Sequence, residues 1–335
     1  MSKSPTKVSV AVITYNQEDT IAQTLESILM QKGDFDLEIV VGEDCSKDRT
    51  RMICEAFAKD NPSTIRLLPS EKNLGIFPNY VRTLLACTGD FIGDIAGDDY
   101  YFDDHALEKQ VLYMQQHPMV GFMGANGYRL YVKRNVMLEG INPSIDGQGQ
   151  EARDFFFSPS YKGGVFFWPA GAMIKRNLLQ FLDFQEMLKL KFPVEDYPIQ
   201  AVLSQHTRFA CLPDLLVVYR IHGDSATFVD VYDPNFIAYH KGLICIRRYL
   251  NKLFPKQACF SEEWMEEYMF YKEFLYYLHL RDYSTARDII QKYSKIIPNS
   301  NKLRKADRMS KTRLGFYISA AYKDCVYKID RKQRV

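Results

Sequence analysis

In the stretch FIGDIAGDDYYFDD (residues 91–104), five carboxylates fall within fourteen residues. The central pair, Asp98 and Asp99, follows an apolar run and a glycine, so it belongs to a turn that ends a strand. Adjacent carboxylates repel, and the arrangement is costly unless something positive lies between or beside them. Paired acids at the rim of a crevice form a hard-oxygen site for Mg2+ or Mn2+, ions that share their shell with substrate phosphates. Such a cation clamps a diphosphate and neutralises the charge that develops on it. The plainer reading is a turn rich in Asp and Gly. A second acidic pair, Glu195 and Asp196 in VEDYPIQ, can supply a general base for an attacking hydroxyl. It can equally be an ordinary acidic helix start. In YRIHGDS (219–225), Arg220 can offset phosphate charge and His222 can enter the shell of an Mn2+-like ion, or the His can simply bond backbone at a strand end.

These groups need elements to position them. KVSVAVIT (7–14) is a β-branched run of the kind buried on both faces of a sheet. The pattern then predicts a helix over 18–32, a strand over 36–44, a helix over 46–60 capped by Ser46 or Asp48, and a strand over 64–70. A helix over 77–88 and a strand over 89–97 complete four alternations, the signature of βαβ units on a parallel sheet. A helix over 104–118, opened by Asp103 and Asp104, and a strand over 119–132 follow. Residues 135–165 read as a long loop, 162–182 as strand, turn and helix, and 209–225 as an apolar strand. From residue 234 the pattern is helical only, with candidates at 236–254, 261–280, 283–297 and 312–329. In open parallel sheets, ligands bind at the carboxyl ends of the strands. The residues following the first four strands therefore share one rim: Tyr15 and Asn16, Glu43 and Asp44, Lys72 and Asn73, Asp98 and Asp99.

Five segments carry a family resemblance, in this order: VSVAVITYNQEDTIAQTLESILMQ, LEIVVGEDCSKDRT, NLGIFPN, GDFIGDIAGDDYYFDDHALEKQVLYM and VEDYPIQ. Together they resemble the inverting family 2 glycosyltransferases of bacterial polysaccharide biosynthesis, strongly over 6–118 and more thinly to about 225. The resemblance implies an α/β GT-A fold: a mostly parallel, Rossmann-like nucleotide-binding sheet, here followed by an all-helical C-terminal region. The expected division is a transferase domain over 1–233, with a nucleotide-sugar half (6–118) and an acceptor half (119–233), and a helical region over 234–335. By position, the resemblance makes Tyr15 the aromatic that stacks on the base. Asp44, with Glu43 beside it, becomes the acid that bonds the base, usually uracil. Lys72 and Asn73 become nucleotide contacts, Asp98 a neighbour of ribose and sugar, and Asp99 the ligand of Mn2+ or Mg2+, with His222 as a further ligand. Asp196 is the expected base, with Glu195 as acceptor contact or as the base itself. Two departures stand out: Cys45 occupies a position where Gly or Ala is common, and Glu43 replaces an Asp.

The implied activity is transfer of a sugar from a nucleotide-sugar, UDP-linked by expectation, to a hydroxyl of a glycan or lipid-linked acceptor. Two rivals are a nucleotidyltransferase and a non-catalytic sugar- or partner-binding protein on a transferase scaffold. The first would carry a Gly-rich, Lys/Arg-bearing loop after strand one, and TYNQEDT has neither feature. The chain has 335 residues and a net charge of only +2, which gives no global steering toward nucleic acid. Residues 301–335 hold eleven Lys/Arg against three Asp, leaving the preceding part about −6. If 312–329 is a helix, Leu314, Tyr317, Ile318, Ala321, Tyr322 and Cys325 fall on one side, with cations at the ends. Such a segment suits an anionic membrane surface, where lipid-linked acceptors reside. Seven scattered cysteines without a C-x-x-C spacing argue for a reducing compartment. The N-terminal apolar run is too short for a signal peptide, and no run reaches membrane-spanning length. The expected location is cytoplasmic, with peripheral contact at the inner face of the plasma membrane.

Overall fold

The run KVSVAVIT forms β1 (Lys7–Thr14), flanked on both sides by parallel partners. The structure is a computed structural model and describes residues 6–140, 149–157, 168–222, 231–257, 260–321 and 323. After β1 come α1 (Ile21–Leu29), β2 (Asp36–Glu43), α2 (Thr50–Asp60), β3 (Ile65–Leu67), α3 (Ile76–Ala86) and β4 (Phe91–Ala96). Then follow β5 (Tyr100–Tyr101), α4 (Ala106–Gln116), β6 (Val120–Tyr131), β7 (Val136–Glu139) and α5 (Gly149–Phe157). The first unit ends with β8 (Ala172–Lys175), α6 (Phe184–Lys189), α7 (Asp196–Leu203) and β9 (Arg208–Ile221). One sheet holds the strands in the order β3-β2-β1-β4-β8-β6-β9-β5, with β7 on β6. The ladders within β3-β2-β1-β4 are all parallel, as βαβ alternation requires, and β6 pairs parallel with β9.

Val8, Val10 and Val12 of β1, Ile39 and Val41 of β2, and Ile21, Leu25 and Ile28 of α1 are fully buried in one core. At typical transfer values, each such side chain contributes about 1.5–3 kcal/mol. On β2, Gly42 admits the close approach of α3: a Cβ there would stand 1.9 Å from the Thr83 hydroxyl. The Asn79 side-chain amide donates to the Gly42 carbonyl at 2.6 Å.

The structure departs from the sequence pattern where elements are short or exposed. Residues 172–175 form strand β8 rather than turn and helix. They are inserted antiparallel between β4 and β6, where pairing on both edges overrides local preference. Within the expected loop lie β7, exposed throughout, and α5. Residues 162–167 and 223–225 lie outside the described residues.

The chain divides into two compact units, Met1–Ile221 and His222–Val335, so the division follows the last strand. The second unit contains α8 (Phe236–Leu253), α9 (Glu262–His279), α10 (Tyr283–Ser294) and α11 (Asn301–Met309), and residues 313–321 are helical. Ser261, Asp282 and Ser300 cap α9, α10 and α11 by accepting the amides of Trp264, Thr285 and Leu303, each worth about 1 kcal/mol.

Candidate active site

Tyr15 follows β1 and is 40% exposed, so its ring is open to a ligand. Asn16 behind it takes a left-handed backbone, φ 53°. Its amide donates to the Ser46 hydroxyl and its Oδ1 accepts the Lys47 amide, both at 2.9 Å, which stitches the exits of β1 and β2 together. Cys45 is left-handed as well, φ 61°. That conformation costs a side chain roughly 1–2 kcal/mol and glycine nothing, which is why Gly suits this position.

Glu43 and Asp44 are both buried. Glu43 accepts the Ser46 amide at 2.5 Å and faces Arg51 at 3.4 Å. Asp44 accepts the amides of Leu74 and Gly75, one on each oxygen, both at 2.8 Å. The Asn73 side chain donates to the Asp44 carbonyl at 3.0 Å. Asp44 thus fixes the loop in front of α3, on which Lys72 is exposed. Removing this carboxylate leaves two amides without partners. Asp44→Ala is therefore expected to cost about 2–4 kcal/mol, measured as a drop in the urea midpoint at unchanged slope.

The turn after β4 approaches the β1 exit so closely that a Cβ on Gly97 would lie 2.6 Å from the Thr14 and Gln17 side-chain oxygens. From α1 and its lead-in, Thr20 and Thr24 donate to the Gly97 carbonyl at 2.8 and 3.0 Å, and Thr24 also lies 2.6 Å from the Asp99 carbonyl. Asp98 is half-buried and Asp99 is 2% exposed. Near the end of β9, Arg220 donates its backbone N–H to Asp99 Oδ1 at 2.8 Å. Its guanidinium donates to the Asp98 carbonyl and the Gln23 amide oxygen and lies over the Tyr100 ring at 4.8 Å. Burial, and then the charge of Asp98, push the Asp99 carboxyl well above the ordinary range, while the Arg220 amide and guanidinium pull it down.

Behind this turn lies an acid that the sequence reading passed over. Asp94 interrupts the apolar strand β4, is 7% exposed, and accepts the Tyr80 hydroxyl of α3 at 2.9 Å. Burial pushes it up to about 7, and Asp196 adds to the shift. Glu195 and Asp196 open α7, partly exposed but with their carboxyls in dense surroundings. Glu195 occupies the cap position and makes no side-chain cap bond, while Asp196 accepts the Tyr197 amide at 2.6 Å. Burial and the Asp196 charge push Glu195 well up, whereas Asp196 is pushed only to about 6. The two carboxyls therefore titrate as an interacting pair, both raised by burial. Asp94, Asp98 and Asp99 of the β4 end and the α7 pair form one electrostatically connected set of acids. The signal for Asp94 was present, as a lone charge in an apolar strand.

Asp94 also makes a stability prediction. Its folded value lies above its unfolded value near 3.8, so the folded state binds the extra proton between about pH 4 and 7. Stability is then lost as pH rises through that window. Asp94→Asn, which keeps an acceptor for Tyr80, is expected to match wild type near pH 4. At pH 8 it should gain about 2–4 kcal/mol, read from melts at the two pH values.

Asp98 and Asp99 fit a divalent cation. They are hard oxygen donors on one turn, and the buried Asp99 charge has a neighbouring carboxylate to be relieved of. Among the described residues no three His, Cys, Asp or Glu side chains converge. The protein would supply few ligands, leaving positions for phosphate oxygens and water. His222 opens the second unit and is half-buried.

The model of the glycosyl transferase family 2 matches residues 9–180, more than half of the chain. The chain belongs to glycosyl transferase family 2. This match covers β1 to β8 and includes Tyr15, Asp44, Asp94, Asp98 and Asp99, with the α7 acids just beyond it. Within the family, the dTDP-rhamnosyl transferase RfbG of Shigella flexneri is 45% identical over 178 residues, 51% of this chain and 56% of that one. The GalNAc(5)-diNAcBac-PP-undecaprenol beta-1,3-glucosyltransferase of Campylobacter jejuni is 26% identical over 182 residues, 54% and 55% of the two chains. The chain spans about half the length of these two relatives, and 32% of a Mycobacterium tuberculosis protein, Rv1520, to which it is 33% identical over 111 residues. Among solved structures, S. aureus TarS 1–349 in complex with UDP-GlcNAc aligns with a TM-score of 0.55 at 16% identity, covering 94% of this chain and 89% of that one. The mannosyltransferase PcManGT of Pyrobaculum calidifontis, in complex with GDP-Man and Mn2+, aligns at 0.51 and 16% identity, covering 97% and 90%. The fold is the GT-A fold, with a helical C-terminal region.

Proposed function

We propose that this protein transfers a sugar, with inversion, from a nucleotide-sugar to a hydroxyl of a saccharide or lipid-linked saccharide in polysaccharide biosynthesis. The observation that carries the reading is the connected set of acids. Asp98 and Asp99 lie in a turn latched by Arg220, and Asp196, raised by burial to about 6, opens α7 beside Glu195. In this reading the exposed Tyr15 ring stacks on the base. Asp44, with Glu43 bracing the same turn, holds the loop carrying Lys72 and Asn73 against the nucleotide. Asp99, with Asp98 as a further candidate, would hold Mn2+ or Mg2+. When bound, that ion neutralises charge on the departing diphosphate. Arg220 acts as a positioning residue, since its guanidinium ties the Asp98 carbonyl to Gln23 of α1. Asp196 accepts the proton of the acceptor hydroxyl as that oxygen attacks the anomeric carbon. The bond to the nucleoside diphosphate breaks on the opposite face, so the anomeric configuration inverts.

The names of the relatives and neighbours include dTDP, UDP-GlcNAc and GDP-Man, and we favour a UDP-sugar. The test is calorimetry with UDP, dTDP, GDP and CMP, with and without Mn2+. Mn2+-dependent binding of one nucleotide supports the donor site and names the base. No binding of any of them under either condition overturns the reading.

The proposed setting is the cytoplasmic face of the membrane. Among the described residues no helix is long and apolar enough to cross one. Leu314, Ile318 and Tyr317 are 71%, 61% and 40% exposed on one side of the helical segment 313–321; Tyr322 and Cys325 of the expected apolar side lie outside the described residues. Burying such a face in an anionic interface, with cations at its ends, stabilises attachment. Leu314→Asp combined with Ile318→Asp is expected to weaken co-sedimentation with phosphatidylglycerol vesicles at least tenfold while leaving nucleotide binding unchanged.

A further inference from the structure

Among the described residues, Arg247 of α8 is the largest side chain with no exposed surface, and its guanidinium meets the Tyr268 hydroxyl but no carboxylate. Its surroundings are aromatic. The ring centroids of Phe260, Trp264 and Tyr268 lie 5.5, 4.9 and 4.8 Å from the guanidinium carbon. Rings over a guanidinium offset part of the cost of burying it, but its in-plane N–H groups still need acceptors. A second cation lies one helical turn along α9: the Lys272 ammonium sits over the Phe236 and Tyr268 rings at 5.7 and 5.4 Å and is half-buried. His240 shares a hydrogen bond of 2.8 Å with the Tyr268 hydroxyl. Burial and the two cations push its imidazole down to about 3, so it is neutral.

The arrangement follows from helical spacing. Residues 236, 240 and 247 recur on one face of α8, and 264, 268 and 272 on one face of α9. The nearby acids of α9 are committed elsewhere. Glu262 and Glu266 pair with Arg248 at 2.7 and 3.5 Å, Glu267 with Lys302 at 3.1 Å, and Glu273 with Lys292 at 3.4 Å. Arg248 thus has two carboxylates, while its neighbour Arg247, which is the buried one, has none. A buried charge ordinarily comes with a partner of opposite charge, and among the described residues none faces Arg247.

We propose that the α8–α9 seam binds a phosphate-class oxyanion, with Arg247 and Lys272 as its charged donors and Trp264 and Tyr268 as its walls. The arginine fork matches two phosphate oxygens at once, and the partly exposed Lys272 and Tyr268 form the edge from which the anion enters. This site lies within the second unit and is independent of the donor reading. The phosphate can be free, as phosphate or diphosphate, or part of a lipid headgroup.

The chain has two tryptophans, so Trp168→Phe leaves Trp264 as a reporter at the site. In this background, inorganic phosphate, pyrophosphate, and phosphatidylcholine vesicles with and without phosphatidylglycerol are titrated at fixed ionic strength. We expect a saturable change in Trp264 emission and a rise in Tm with at least one phosphate source. Arg247→Met should weaken the response at least tenfold. In phosphate-free buffer that variant should melt at or above the parent, because an uncompensated buried charge has been removed. A response to phosphate or pyrophosphate alone supports the site with a small anion as ligand, and a response to phosphatidylglycerol vesicles alone supports it with a headgroup. The proposal is overturned if no source changes Trp264 emission or Tm, or if the response persists in Arg247→Met. Should that variant not fold, Lys272→Met decides: a weakened response supports the site and an unchanged one overturns it.

Discussion

Asp196→Asn should lower kcat for sugar transfer by about 10²–10⁴-fold while nucleotide binding, measured by calorimetry, stays within about twofold. The amide keeps an acceptor for the Tyr197 N–H and so preserves the start of α7, but it cannot take a proton. In wild type the base must be ionised, so the sign follows directly. With Asp196 held near 6, kcat should rise with pH through about 6 and level off above 7. Glu195→Gln should leave that limb in place, because burial rather than the Glu195 charge raises Asp196, and retain most of the rate. If Glu195→Gln instead carries the large loss and Asp196→Asn the small one, the roles in the pair are exchanged. If neither variant slows transfer tenfold, the base lies elsewhere.

The second large effect belongs to Asp99. Asp99→Asn preserves the acceptor that Arg220 reaches at 2.8 Å, so the latch between β9 and the turn should hold. The lost negative charge is what the cation needs. Transfer should fall by about 10²–10³-fold, and Mn2+ should cease to tighten nucleotide binding. Stability should move the other way. The folded-state value of Asp99 lies above its unfolded value, so its charge opposes folding once pH exceeds the unfolded value. In metal-free buffer at neutral pH, Asp99→Asn should therefore melt above wild type. Gained stability with lost activity is the pattern expected where a site is strained for function. A variant that lost both would point to a structural acid instead.

Much of the parallel half was legible because its strands are buried on both faces and read as continuous apolar runs: KVSVAVIT, LEIVV, FIGDI. The rim acids were legible because they end those runs. Legibility failed where a partner lies far along the chain. Asp94 is visible as a charge in an apolar strand, yet nothing local says that Tyr80 bonds it or that the α7 acids press on it. Asp44 was legible as an acid ending β2, but the commitment of both its oxygens to Leu74 and Gly75 depends on a loop thirty residues on. Strand β8 has four residues and owes its existence to β4 and β6, so it has no periodicity of its own to read.

The bond from the Arg220 amide to Asp99 spans 121 residues of chain. On the ribosome, the strands β1 to β4 are complete once about the first hundred residues have emerged, and their pairings are short-range enough to form early. The acid pair on α7 and the latch on β9 arrive later. At 5–20 residues per second, roughly 6–24 s separate synthesis of the acid turn from synthesis of the strand that secures it. Through that interval the nascent chain carries the turn after β4 without the strand that fastens it.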